Sequence, residues 1–231
     1  MMRLFCMRLP ESINQIDYYE LCLSVSKEKQ DKLLNRNNMQ SLFSGLLLKY
    51  VLNMFLGIAN KEVKFQYSKY GKPALIDKPD IKFNLSHSGA WIFLGLSNYE
   101  IGVDIQKIGE NKLNIAKRFF TMNEYKNLLL LKDNDATIKF YEYWALKESY
   151  VKAVGKGLTI PLNTIEFFIK KEKINGFIDG NKVKNFQFKL VKMDSMYTSA
   201  VCLKSSKNEL RQLTINKLEA DEVIGWVKCL R

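Results

Sequence analysis

A single histidine, His87, stands among 231 residues. That scarcity leaves no imidazole pair for a zinc site, and the four cysteines do not supply one. Cys6, Cys22, Cys202 and Cys229 lie far apart and form no CxxC pair. They read as buried thiols of a reducing compartment, so a cytoplasmic protein is expected. The N-terminus lacks the long apolar segment of a signal peptide, because residues 1–9 alternate apolar and basic side chains up to Pro10. An uninterrupted membrane span is missing too. The longest apolar stretch, 42–58, is broken by Ser44, Lys49, Tyr50 and Asn53 and is read as a buried helix. Acidic residues are in deficit, 24 Asp+Glu against 36 Lys+Arg, for a formal net charge of +12. Such a balance favours an anionic partner: a nucleic acid, a phosphorylated ligand or an acidic protein. The basic residues come in ones and twos, with no run that would mark a nucleic-acid tail.

A hydrophobic content of 47% with 12% aromatics indicates a folded core. The length allows one large domain or two halves. Strands are expected at 4–7, 63–67, 83–85, 91–97 and 101–105, then at 165–169, 186–191, 197–203 and 213–215. Helices are expected at 18–24, 27–35, 40–56, 113–120, 122–131 and 137–154. Thr121 and Glu124 have the spacing of a capping box. Each half runs helices plus a small sheet, so the expected class is α+β: two similar α/β lobes, 1–101 and 102–231, packed together.

Three stretches carry candidate chemistry. In Trp144-Ala145-Leu146-Lys147-Glu148-Ser149-Tyr150-Val151-Lys152, Glu148 and Lys152 share a helical face. By itself this is an ordinary surface ion pair. In Gly102-Val103-Asp104-Ile105-Gln106, Asp104 sits in an apolar strand, where a charge is costly unless paired. A solvent-facing strand explains it equally well. With Glu148 it offers two hard oxygen ligands suited to Mg²⁺, and Gln106, on the same strand face, offers a neutral carbonyl. In Phe83-Asn84-Leu85-Ser86-His87-Ser88-Gly89, hydroxyls, N–H groups and His87 suit a phosphate, although a lone histidine in a turn is the plainer reading. Ser86 and His87 point to opposite strand faces, which disfavours a nucleophile–base pair. Lys29, Lys32 and Lys72 are solvated charges by default.

These stretches, with Gly71-Lys72-Pro73 and Arg118-Phe119-Phe120-Thr121-Met122-Asn123-Glu124-Tyr125, occur in one order and spacing that resembles the 4′-phosphopantetheinyl transferases of the surfactin-synthetase-activating type. The likeness spans roughly residues 27–162. It implies a pseudo-dimer of two lobes with coenzyme A in the cleft. The reaction it implies moves the phosphopantetheine arm to a carrier-protein serine and releases adenosine 3′,5′-bisphosphate. By the same resemblance Asp104 and Glu148 hold Mg²⁺, with Gln106 beside them. Lys152 offsets charge on the leaving phosphate, and Glu148 or a metal-bound water takes the serine proton. His87, Ser86, Lys29 and Lys32 hold phosphate, while Lys72 and Pro73 line the adenine and ribose pocket. Phe119, Phe120 and Tyr125 border the surface that docks an acidic acyl or peptidyl carrier protein. A monomer is expected, as both halves of the site lie in one chain.

Two positions depart from the family pattern: Gln106 stands where many members carry a second acid, and Ser44 where many carry a phosphate-binding Arg, with Lys49 or Arg36 as possible replacements. The rival readings are a basic nucleic-acid-binding module, a degenerate binder of coenzyme A or carrier protein, and a Mg²⁺-dependent phosphohydrolase. Scattered basic charge speaks against the first and intact Asp104, Glu148 and Lys152 against the second. The third usually needs more acidic ligands than two.

Overall fold

The computed structural model describes residues 2–25, 30, 33–34, 38–110, 112–171, 173–211 and 213–230. Lys29, Lys32 and Arg36 lie outside the described residues, as does most of the helix expected over 27–35. The first half contains β1 (Met2–Arg8), α1 (Gln15–Leu23), α2 (Met39–Leu56), β2 (Phe65–Tyr67), β3 (Pro73–Leu75), β4 (Lys82–Ser88) and β5 (Trp91–Ser97). Next come β6 (Ile101–Lys107), α3 (Leu113–Phe119), α4 (Met122–Leu129) and α5 (Asp133–Val154). The rest is β7 (Ile165–Lys170), β8 (Lys173–Ile178), β9 (Asn181–Lys182), β10 (Gln187–Val191), β11 (Tyr197–Leu203), β12 (Ile215–Leu218) and α6 (Ala220–Cys229).

Two sheets make the centre, ordered β12-β1-β5-β4 and β10-β11-β6. Strand alternation gives each sheet two apolar faces. In β1, Phe5 and Met7 join one core cluster while Leu4 and Cys6 join another; in β5, Ile92 and Leu94 divide from Trp91 and Phe93 in the same way. The shared cluster brings Leu4, Cys6 and Phe93 against Ile101, Val103 and Ile105 of β6, so the sheets face each other. A long helix covers each outer face. On one side α2 starts with Asn38 capping Ser41 N–H and stops at Gly57, in the left-handed conformation at φ +66°. Its Leu42, Phe43, Leu46, Leu47 and Val51 are fully buried with Phe5 and Ile92, each worth about 1.5–3 kcal/mol relative to exposure. By length and composition α2 is the one described helix that could cross a membrane; here it packs as core. On the other side α5 lies across β6 and β11, with Phe140, Leu146, Tyr150 and Ala200 in a separate cluster.

Some expectations need correction. The helix expected from 137 begins at Asp133, where Asp133 and Asp135 favour the positive end of the helix dipole. Strand β8 and helix α6 were not expected at all. The partition at 101/102 does not hold at the C-terminus: β12 pairs parallel with β1, and α6 adds Ala220, Val223 and Val227 to the first lobe's core. Both chain ends therefore build the first sheet.

Candidate active site

The site grows from the seam between β4 and β6. One edge of β6 pairs with β11; side chains of β4 satisfy N–H groups on the other. Val103 N–H donates to Asn84 Oδ1 (2.9 Å), Ile105 N–H to Ser86 Oγ (3.2 Å) and Lys107 N–H to Ser88 Oγ (2.9 Å). Both strands advance two residues per rung in the same direction, so polar side chains replace a parallel ladder.

Residues of β6 that do not enter the inter-sheet core face α5. Gly102 permits that approach: a Cβ there would stand 1.9 Å from Ser149 O and 2.4 Å from Ala153 N. The contact seats the Glu148–Lys152 turn of α5 directly over Asp104. Asp104 is 1% exposed, which removes the solvent-facing reading. Its Oδ1 receives Lys152 Nζ at 2.6 Å and the Ser86 hydroxyl at 3.0 Å; its Oδ2 receives Gln106 Nε2 at 2.9 Å. Lys152 also donates to Ser86 Oγ (3.0 Å) and Val103 O (3.3 Å). Ser86 is thus fully engaged in holding Asp104, Lys152 and β6, a positioning role in place of the expected phosphate contact.

Glu148 differs from its neighbours. Among the described residues its carboxylate has no hydrogen bond and no ion pair within 4.0 Å. Partial burial raises its pKa, the Asp104 charge raises it further, and Lys152 opposes both. No group of three or more His, Cys, Asp and Glu able to hold a metal occurs among the described residues; beside the Asp104 carboxylate β6 offers the neutral Gln106. The two carboxylates nevertheless suit a divalent cation: the repulsion that raises Glu148 is what such a cation would relieve.

His87, one residue past Ser86, points the other way and is exposed at the end of β4. Crowding by surrounding protein, then the Lys152 charge, hold its pKa below the ordinary value. The turn that follows is clamped from both lobes. Gln40 Nε2 donates to Gly89 O (2.8 Å), and Ala90 N–H donates to the Tyr197 hydroxyl (3.1 Å). Lys72 and Pro73 line a cavity of about 240 Å³ together with Tyr70, Asn84, Glu148 and Lys152. The Lys72 ammonium is committed elsewhere, to Glu100 Oε2 (2.8 Å), Ala153 O (3.0 Å) and Ile101 O (3.4 Å). It therefore ties the first lobe to the end of α5, with its stem against Gly155.

Ser44 is buried and its hydroxyl has no partner, and Lys49 Nζ donates to Ser24 O at 2.9 Å. Neither presents a phosphate contact. Phe120, expected at the partner surface, is core at 4% exposure, packed between Phe140 and Tyr143. The exposed large apolar side chains of that region are Met122, Leu129, Leu130 and Leu131. A buried pair went unread in the sequence: Lys147 Nζ meets Glu124 Oε2 at 2.7 Å, with both side chains sealed from solvent. The capping box at Thr121 and Glu124 was the available signal.

Two family models match the chain. The model of the 4′-phosphopantetheinyl transferase superfamily matches residues 100–202, and that of the 4′-phosphopantetheinyl transferase N-terminal region matches 15–98. The 4′-phosphopantetheinyl transferase gsp of Aneurinibacillus migulanus is 34% identical over 228 residues, 96% of this chain and 94% of its own. The chain belongs to the 4′-phosphopantetheinyl transferase family. The 4′-phosphopantetheinyl transferase Sfp of Bacillus subtilis is 29% identical over 87% of this chain and 92% of its own. The human L-aminoadipate-semialdehyde dehydrogenase-phosphopantetheinyl transferase is 27% identical over 82% and 70%. The architecture is α+β, with a sheet and a long helix in each lobe, and the relatives gsp and Sfp put the chain in the surfactin-synthetase-activating type.

Proposed function

We propose that this transferase moves the 4′-phosphopantetheine arm of coenzyme A onto a serine of an apo acyl or peptidyl carrier protein, with Mg²⁺, releasing adenosine 3′,5′-bisphosphate. The observation that carries the reading is Glu148, unpaired and raised in pKa beside the Asp104–Lys152 pair. Displacement at a pyrophosphate needs alignment and charge neutralisation more than a covalent intermediate. Glu148, its pKa raised by burial and by the Asp104 charge, serves as the base for the carrier serine proton. Asp104 and Ser86 hold the Lys152 ammonium, which offsets charge on the leaving phosphate. Asp104 and Glu148, with the Gln106 carbonyl, would hold Mg²⁺, and when bound it would supply Lewis-acid charge neutralisation at the pyrophosphate.

Lys72 and Pro73 form the wall for adenine and ribose; Lys29, Lys32 and His87 complete the 3′-phosphate site. A neutral His87 still offers one ring N–H to phosphate. The net charge of +12 suits an acidic carrier, and the exposed Met122, Leu129 and Leu130 on and after α4, beside Phe119 and Tyr125, suit its apolar contacts. Both carboxylates come from one chain, so a monomer suffices.

The test is the intact mass of an apo carrier domain after incubation with the protein, coenzyme A and Mg²⁺. Gain of one phosphopantetheine, absent without metal and with Asp104→Ala or Glu148→Ala, is expected. Coenzyme A binding without any mass gain on acyl and peptidyl carriers would replace the reading with a non-transferring binder.

A further inference from the structure

The contacts around Asp104 define more than a ligand set. An ionised carboxylate oxygen has about two acceptor directions. Oδ1 uses both, for the Lys152 ammonium at 2.6 Å and the Ser86 hydroxyl at 3.0 Å. Oδ2 has one taken by Gln106 Nε2 at 2.9 Å. A divalent cation between Asp104 and Glu148 must therefore share a carboxylate whose charge Lys152 already offsets. Lys152 has an alternative: about a quarter of its side chain is exposed, and it lines the same cavity as Glu148 and Lys72. An anionic phosphate in that cavity can draw the ammonium off Oδ1.

We infer that Lys152 is the built-in competitor of the divalent cation for Asp104, so that the cation binds weakly by itself and tightly only once a phosphate-bearing ligand has taken up the ammonium. Glu148, without a counter-ion, pulls the cation in; Lys152 on Asp104 holds it out. The arrangement makes metal and ligand binding cooperative through one side chain, and the cooperativity is reciprocal. Gln106 sharpens it. A glutamate there would add charge for the cation, whereas the amide donates to Asp104 and leaves Lys152 as the deciding charge.

This inference rests on the reading of Asp104 and Glu148 as metal ligands, and the experiment separates the two. Mn²⁺ binding is measured by electron paramagnetic resonance on the full-length protein, with and without coenzyme A, for wild type, Lys152→Gln and Lys107→Gln. Lys152→Gln retains an N–H donor for Asp104 without the charge; Lys107→Gln removes an equal charge nearby on β6. Without coenzyme A, Lys152→Gln should bind Mn²⁺ about ten-fold or more tightly than wild type, and Lys107→Gln within about two-fold of it. Added coenzyme A should then tighten Mn²⁺ far less in Lys152→Gln than in wild type.

Equal or weaker Mn²⁺ binding by Lys152→Gln, or an equal gain from Lys107→Gln, would overturn the inference and leave the metal reading standing. No Mn²⁺ binding by wild type even with coenzyme A would overturn both. Should Lys152→Gln fail to fold, Mg²⁺ titration of wild type without coenzyme A gives a second measurement. A shift of the ¹³C-labelled Lys152 Cε resonance is expected, and an unmoved signal at Mg²⁺ saturation contradicts the competition.

Discussion

Lys147 and Lys152 leave the same helix one turn and a half apart, and each meets a buried carboxylate. At Lys147 the partner is Glu124. That carboxylate also accepts Phe167 N–H (2.9 Å) and Thr121 N–H (3.0 Å), while the ammonium donates to Leu162 O (2.9 Å) and Ile165 O. Burial pushes Glu124 up and Lys147 down, and each partner's charge pulls the other back. The network is closed: it ties α4, α5 and the start of β7 together and has no room for a ligand. At Lys152 the partner is Asp104, and there the network is open. A cavity adjoins it, and Glu148 brings a second negative charge without a partner of its own. The same pairing of a lysine ammonium with a carboxylate serves architecture where its donors and acceptors are matched, and chemistry where one charge is left over.

Four variants break or sharpen that contrast. Gly102→Ala is the most severe for function. Its Cβ would collide with backbone of α5, moving Glu148 and Lys152 off Asp104. Transfer should fall by about 100-fold or more, since an ångström of misplacement is enough for that; steady-state carrier loading measures it. Lys147→Met acts on the closed network instead. Leaving Glu124 buried and unpaired should cost about 3–5 kcal/mol in denaturant unfolding, recovered only in part in Lys147→Met/Glu124→Leu, which leaves Phe167 N–H, Thr121 N–H, Leu162 O and Ile165 O without these partners.

Glu148→Gln should do the reverse, raising thermal stability while abolishing transfer. An acid whose pKa is raised on folding stabilises the protein below its unfolded value and loses that contribution as pH rises through its folded value. The gain from Glu148→Gln should therefore be present at pH 7–8 and vanish below the ordinary glutamate range of about 4.3, as melting curves across pH would show. The smallest effect belongs to Gln106→Glu, which adds a ligand charge and removes a donor to Asp104. It should lower the Mg²⁺ needed for half-maximal transfer several-fold, read from a metal titration.

The parts of the molecule that were legible from sequence are those written locally. The apolar period of α2, the apolar run of β5 and the Thr121–Glu124 box are short-range patterns, and the structure has each of them. Asp104 stood out because a charge in an apolar strand is costly, and it proved buried and paired. What escaped was non-local. Parallel pairing of Leu4 with Ile215 leaves no mark on either segment. Lys147 sits beside Glu148 in the chain but on another side of the helix, and a helical lysine reads as solvated until Glu124 is seen against it. Ser86 looked like a phosphate ligand because hydroxyls suit phosphate; its engagement by β6 depends on a strand almost twenty residues on.

The claim at the centre of this account is that Glu148 is held at a cost to stability because its unpaired carboxylate performs the transfer. Melting temperature and carrier loading, measured at pH 7.5 on one preparation of Glu148→Gln beside wild type, test it most directly. The account predicts a folded protein that melts higher and adds no phosphopantetheine to the carrier. A variant that loads the carrier at the wild-type rate, or one that melts lower, would contradict it.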